Sequence, residues 1–259
     1  MSNSGITRRA TLATGVIAAA SLTTTGFLST PAAAAPTALK DATPKPSAKP
    51  PTNEELKEAI RRAEARRRRL ATGRPSANGW EMQKAVDDDG DIVTCPVAGT
   101  GLTVALRMGD VETVLVHVIR RFHYEVDALG ADEQPRPLLG WVAPSGVRDS
   151  RRPESNQASG TAVVIRPGSY PAGVRGAFSA GQELAIRDIL ADTEGVVRWG
   201  GDDRRPQEGL FYLGVRPGDA RLSQVAAKIR GWNLTPGAGA GVVPDVTEAS
   251  RRRRAARYS

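Results

Sequence analysis

The sequence predicts an α+β domain in which a small antiparallel sheet packs with helices. Three observations carry that class. Short apolar runs bounded by turn residues, "GTAVVIRP", "GVVRWGG" and "GLFYLGVRP", read as strands that return through short connections. Helical periodicity is gathered in separate stretches instead of alternating strictly with the strands. From Gly73 to Trp232 the chain offers about 160 residues, the size of one domain with one core.

Taken in order, residues 1–34 read as a twin-arginine export signal. Arg8 and Arg9 precede an uncharged run rich in Ala and Thr from Ala10 to Leu28, and Ala32 and Ala34 supply the small residues of an A-x-A cleavage site. The mature chain is expected to start near Ala35, as a secreted or cell-wall protein. Retention of the run as a membrane anchor is the alternative, but the run is short and weakly apolar, so no stable membrane span is expected after cleavage. Residues 35–52, rich in Pro, Ala and Lys, read as a linker.

Thr52 stands three residues before Glu55 as a capping box and opens a basic helix over 53–72, with a thin apolar stripe of Leu56, Ile60, Ala63 and Leu70. Residues 74–232 form the main domain. Its clearest helix runs from Asp110 to Gly130, with Val111, Val114, Leu115, Val118, Ile119, Phe122, Val126 and Leu129 on one face. His117 and His123 lie six apart on different faces of that helix, so they read as packing or surface residues and not as an i, i+4 metal pair. Ser179 answered by Gln182 opens a further helix, and Asp219 another. Residues 233–259 read as a disordered basic tail.

The formal charge of +8 does not indicate a nucleic-acid partner once it is apportioned. Between Arg74 and Trp232 there are 19 Lys and Arg against 21 Asp and Glu, so the basicity sits in the flanks, at Arg66–Arg69 and Arg251–Arg257. Such flanks suit peptidoglycan-associated or other anionic wall polymers and anionic lipid headgroups, with plain solvation as the bland alternative. The single cysteine, Cys95, allows no internal disulfide and reads as a buried small hydrophobe. No phosphate-binding Gly-rich loop follows a strand and no G-x-S-x-G elbow is present.

The series "NGW", "RFHYEV", "LGW", "SNQASGTAVVI", "VVRWGGD" and "EGLF", in this order and spacing, resembles the D-alanyl-D-alanine carboxypeptidase-like zinc peptidases that cut peptide stems of bacterial peptidoglycan. The likeness covers roughly Asn78 to Trp232 and implies that metallopeptidase fold. The family holds zinc with a His, an Asp and a later His, and a Glu two residues before the last serves as general base. On this chain the three ligand positions fall on Gln157, Val164 and Leu210, whereas Glu208 occupies the general-base position. Ser155, Ser159, Gly160, Thr161, Trp199, Gly200, Gly201 and Asp202 match the family's scaffold.

Catalytic zinc needs three protein donors and an open position for a water whose pKa it lowers to about 7. Gln is a weak neutral donor, and Val and Leu donate nothing. The resemblance therefore implies a pseudoenzyme without a cofactor, in which Glu208 is vestigial, Val164 and Leu210 fill the site, and Gln157 hydrogen-bonds with Glu208 as a candidate partner. Among the other candidates, Cys95, His117, His123, Asp202, Asp203 and Glu208, no pair of the Cys and His shows metal spacing.

Groove candidates are Trp80, Trp141, Arg148, Ser155, Tyr170, Trp199 and Asp202, with core packing the plain alternative for the tryptophans. The family places an arginine near Arg148 for the substrate carboxylate, and "RDSRR" leaves Arg151 and Arg152 as alternatives. The expected function is an inactive wall protein that binds stem peptides or acts as an interaction module. The rival is an active wall peptidase that uses Glu208 with an unrecognised metal or with none.

Overall fold

The computed structural model describes residues 52–133 and 135–258. The export-signal reading, and the linker reading up to residue 51, lie outside the described residues. Thr52 opens helix α1 (Asn53–Leu70) as the capping box requires: its hydroxyl accepts from the Glu55 amide, and the Glu55 carboxylate accepts from the Thr52 amide at 2.7 Å. The helix stops at Leu70 because Ala71 turns extended. The chain continues as β1 (Ala71–Pro75), paired antiparallel with β2 (Glu81–Gln83).

Only Leu70 of α1 is buried, so the helix docks chiefly by charge. Arg66, Arg67 and Arg69 meet Asp89, Asp91 and Asp88 at 3.7, 3.1 and 3.0 Å. Part of the basic run expected to face wall polymers is thus spent on the acidic "DDDGD" loop of its own domain. Exposed pairs of this kind contribute about 0–1 kcal/mol each and are screened by salt. Raising the salt to about 1 M, where the screening length is about 3 Å, should speed trypsin cleavage within α1 and leave the rest of the domain resistant. Equal cleavage at low and high salt would show that Leu70 alone holds the helix.

A hairpin that the sequence reading passed over follows: β3 (Ile92–Val97) pairs along its length with β4 (Leu102–Arg107). Pro96 obscured it, since proline donates no ladder bond. It is tolerated because this sheet has only two strands and β3 is an edge. Cys95 is buried here, and burial pushes its thiol up to about 12, so it is no nucleophile at neutral pH.

Helix α2 (Asp110–Glu125) buries the expected face, Val111, Val114, Leu115, Val118, Ile119 and Phe122. It ends short of Gly130 because the chain turns back there, and His123 Nδ1 accepts from the Leu129 amide at 2.9 Å. His117 is buried and packs on Trp232 with ring centroids 5.7 Å apart.

The central sheet has the order β5–β6–β8–β7, all antiparallel, with β5 (Leu138–Leu139), β6 (Ala162–Ile165), β7 (Val197–Trp199) and β8 (Leu210–Leu213). The α+β class with small antiparallel sheets is therefore what the chain adopts. Strand alternation divides the side chains between two faces. Val163, Ile165, Phe211 and Leu213 join the main core with α2 and α3 (Ala180–Asp192), whereas Ala162, Val164, Leu210 and Tyr212 form a separate buried cluster on the other face. The Ser179–Gln182 capping box opens α3, and Asp219 caps α4 (Ala220–Leu234) as expected.

The tail departs from the expectation of disorder. Residues 249–255 form α5 (Ala249–Ala255), and Arg251 and Arg254 reach the buried Asp188 and Asp192 of α3 at 2.6 Å each. Composition argued for a solvated end. The acids on α3 reverse that, because burying them demands cations and the tail brings two. Arg252, Arg253 and Arg257 stay exposed, with no side-chain partner among the described residues. No helix among the described residues is long and apolar enough to cross a membrane.

Candidate functional site

The site is built on a 3-10 helix, Pro153–Ser159, that precedes β6. Gly160 ends it in the left-handed region at φ 68°, and a Cβ there would stand 2.7 Å from the Arg107 backbone nitrogen, so only glycine fits. Arg107, itself buried, donates from Nε to the Ser159 carbonyl at 3.0 Å, pairs with Asp91 at 2.6 Å and donates to the Glu81 carbonyl at 2.8 Å. Burial lowers the Arg107 pKa against the pull of Asp91.

The small polar residues of "SNQASGT" hold the Ser76–Asn78 loop. Ser155 Oγ accepts from the Ala77 amide at 3.0 Å, and Asn156 Oδ1 accepts from the Asn78 amide at 3.1 Å. Ser159 Oγ lies 2.8 Å from both Ser76 Oγ and Thr161 Oγ1, and Asn78 Nδ2 donates to Thr161 Oγ1 at 2.9 Å. The Ser155 hydroxyl is directed at the Ser150 and Arg152 carbonyls, 2.9 and 2.7 Å away. Its role is to clip the framework, because no lone hydrogen is left for a ligand.

Gln157, Val164 and Leu210 stand in one continuous line. Gln157 Nε2 donates to the carbonyls of Leu139 and Gly140 at 3.0 and 2.9 Å; Leu139 is the register partner of Val164, and Val164 of Leu210. Val164 and Leu210 are each 1 % exposed in the same small apolar cluster. Residues directly opposite on antiparallel strands have Cβ atoms about 4.5–5.5 Å apart.

The expected partnership of Gln157 with Glu208 is absent. The Glu208 carboxylate accepts instead from the amides of Gly176 and Ala177 at 2.7 and 2.9 Å, one to each oxygen, and it is buried. Its backbone carbonyl accepts from Trp199 Nε1 at 2.6 Å. Glu208 thus ties the loop before α3 to the start of β8, because two N–H donors with no other partner are what a buried carboxylate most needs.

Two cavities open beside this line. One of about 720 Å³ is lined by Arg148, Ser155 and Gln157 together with Arg152, Glu154 and Arg205. The other, of about 480 Å³, reaches Leu210 and is lined by Arg204, Asp203 and Gln207, with Arg152, Glu154 and Arg205 again part of its wall. Arg148, Arg204 and Arg205 are exposed and form no ion pair or side-chain hydrogen bond among the described residues.

Tyr170, Trp199 and Asp202 line neither cavity. Tyr170 donates to Asp127 at 3.2 Å and packs on Phe178 at 4.6 Å; burial and the Asp127 carboxylate push its hydroxyl up to about 12. Trp199 is core, with Arg187 over its ring at 4.8 Å, and Asp202 takes both terminal nitrogens of that same arginine at 2.5 and 2.6 Å. Trp80 donates to the Val215 carbonyl at 2.9 Å and Trp141 to the Gln83 carbonyl at 3.0 Å, so both brace the frame.

Of the groove candidates, Arg148 alone offers an unengaged polar headgroup to a cavity. Glu154, Arg204, Arg205 and Gln207 were missed. The basic pair stands in the sequence within "DDRRP", which begins on the last residue of the W-G-G-D turn.

The donor set does not fit zinc. Gln157 could offer a metal only its neutral amide oxygen, and Val164 and Leu210 have no donor atom. Among the described residues no group of three or more His, Cys, Asp or Glu is arranged to hold a metal ion. Comparison with protein-family models, with curated proteins and with solved structures returns no match.

Proposed function

We propose that the chain is a cell-wall peptide-binding protein on a scaffold of the D-alanyl-D-alanine carboxypeptidase type, exported and catalytically silent. The observation that carries this is the alignment of Gln157, Val164 and Leu210 through Leu139 in one line. Val164 and Leu210, 46 residues apart in the chain, face each other across β6 and β8, and Gln157 binds the carbonyl of Leu139, the partner of Val164 on β5, so the three motif positions fall on adjoining parts of one sheet, which supports the reading. A mixed polar cavity opens directly on that line, with Arg148 free to receive a carboxylate. Glu208 is buried against the Gly176 and Ala177 amides and lines neither cavity, which supports a framework role over that of a general base acting on a bound peptide.

Calorimetric titration with a peptide ending in D-alanyl-D-alanine tests the reading. Binding is expected, weakened about tenfold or more by Arg148→Ala, as loss of a charge-assisted contact would do. No D-alanine should be released during prolonged incubation. Release that Glu208→Gln abolishes would make the protein an enzyme, and failure to bind any such peptide would remove the function proposed for the cavity.

A further inference from the structure

The two cavities meet at a wall made of Arg152, Glu154 and Arg205. Around this double cleft stand Arg148, Arg151, Arg152, Arg204 and Arg205 against Asp149, Glu154 and Asp203. Asp149 is already taken, at 3.3 Å from Arg151 and 3.7 Å from Arg152. Arg204 and Arg205, by contrast, line the second cavity without meeting either of its acids. The cleft is therefore net positive with unspent guanidinium groups in both cavities, Arg148 in the first, Arg204 in the second and Arg205 on the wall they share.

Two residues with buried acceptors border the second cavity, and one of them, Glu154, also stands on the shared wall. Glu154 Oε2 and Gln207 Oε1 have no hydrogen-bond donor among the described residues. A buried acceptor without a donor costs about 1–3 kcal/mol, so each favours an occupant that brings N–H groups. Asp203 adds to this: burial and the carboxylates of Glu154 and Asp202 hold its pKa above the usual value, against its hydrogen bond from Tyr212.

We infer that the cleft binds a peptide carrying two separate carboxylates, one at Arg148 and one at Arg204–Arg205, with peptide N–H groups between them donating to Glu154 and Gln207. This rests on the stem-peptide reading and narrows it. The site would select stems whose internal glutamyl α-carboxylate is free over stems in which it is amidated. Guanidinium forks are suited to carboxylates, and the acceptors of Glu154 and Gln207 disfavour ligands that are anionic throughout.

The test uses N-acetyl-γ-D-glutamyl-L-lysyl-D-alanyl-D-alanine and its counterpart with the glutamyl α-carboxylate converted to an amide, titrated into the intact protein at low salt. Amidation should weaken binding about tenfold, the size of one charge-assisted hydrogen bond. The double variant Arg204→Ala/Arg205→Ala should bind both peptides alike, at the affinity of the amidated one for the unaltered protein. Equal affinity of the unaltered protein for both peptides would overturn this inference and leave the stem-peptide reading standing, whereas no binding of either would overturn both. A third arm uses polyglycerol phosphate: if the double variant loses that polymer while its peptide preference persists, the arginine pair serves a polyanion and the dicarboxylate assignment is wrong.

Discussion

Replacing Arg121 with methionine will destabilise the domain by about 3–5 kcal/mol, the cost of removing one partner from a buried ion network. Arg121, with its side chain 3 % exposed, pairs with Glu125, with Asp188 at 2.8 Å and with Asp192 at 2.6 Å; Asp188 is fully buried. These acids come from α2 and α3, so the guanidinium joins the two helices that cover the central sheet. Burial works against its charge, but the surrounding carboxylates outweigh that and raise its pKa. Methionine keeps much of the volume and removes the charge, leaving three carboxylates with Arg251 and Arg254 of α5, and His117 at 3.7 Å from Asp192, to answer them. Denaturant unfolding will read the loss as a lowered midpoint at an unchanged slope. A change below about 1 kcal/mol would mean that the tail arginines carry the network alone.

Acid gives the same network a second readout. Burial raises the pKa of Asp192, but His117, Arg121 and Arg254 outweigh burial and bring it from 3.8 down to about 2. A carboxyl whose folded pKa lies below its unfolded one contributes stability above the unfolded value and loses it as pH falls through the folded value. Asp192 should therefore contribute on the order of 2 kcal/mol at neutral pH, lost between about pH 4 and pH 2. With Arg121 gone, the depression of that pKa shrinks, so the stability curves of the variant and the parent should converge as pH falls through this window.

Much of the fold was legible because its signals are local. Capping boxes at Thr52 and Ser179 were visible as residue types three apart, and the apolar runs of β6, β7 and β8 carry their own turn residues. What the sequence hid is non-local. The ladder between β3 and β4 was masked by Pro96, and nothing near residues 249–255 announces that two of their arginines will meet acids some 60 residues earlier. The site divides in the same way. Motif spacing singled out Gln157, Val164 and Leu210 as candidate positions but could not tell that Ser155, Trp199 and Asp202 are engaged within the framework. Hydroxyls, indoles and carboxylates are the groups a ligand would use and also the groups a frame uses, and only their partners distinguish the two. Glu154 and Gln207 are candidates for the opposite reason, since each has a buried atom without one.

The triple variant Gln157→His, Val164→Asp, Leu210→His should bind one zinc ion, because Val164 and Leu210 face each other across β6 and β8 and Gln157 reaches the carbonyl of Leu139, the partner of Val164 on β5. Without metal it should be less stable than the parent by about 3 kcal/mol or more, since Asp and His would replace apolar groups in a cluster 1 % exposed at both positions. Adding zinc should reverse the loss: a ligand that binds only the folded state stabilises by about 4 kcal/mol at a thousandfold excess over its dissociation constant. The parent's melting temperature should not respond to zinc. Hydrolysis is not expected from the variant, because Glu208 is buried against the Gly176 and Ala177 amides and lines neither cavity, so it is not positioned to activate a water on the introduced metal. Two substitutions at a time serve as the control, as a site with fewer than three donors should show little or no zinc-dependent rise in melting temperature. A folded triple variant whose melting temperature ignores zinc would mean that neighbouring positions on this sheet do not converge as ligands, and the peptidase likeness would then lose its geometric basis.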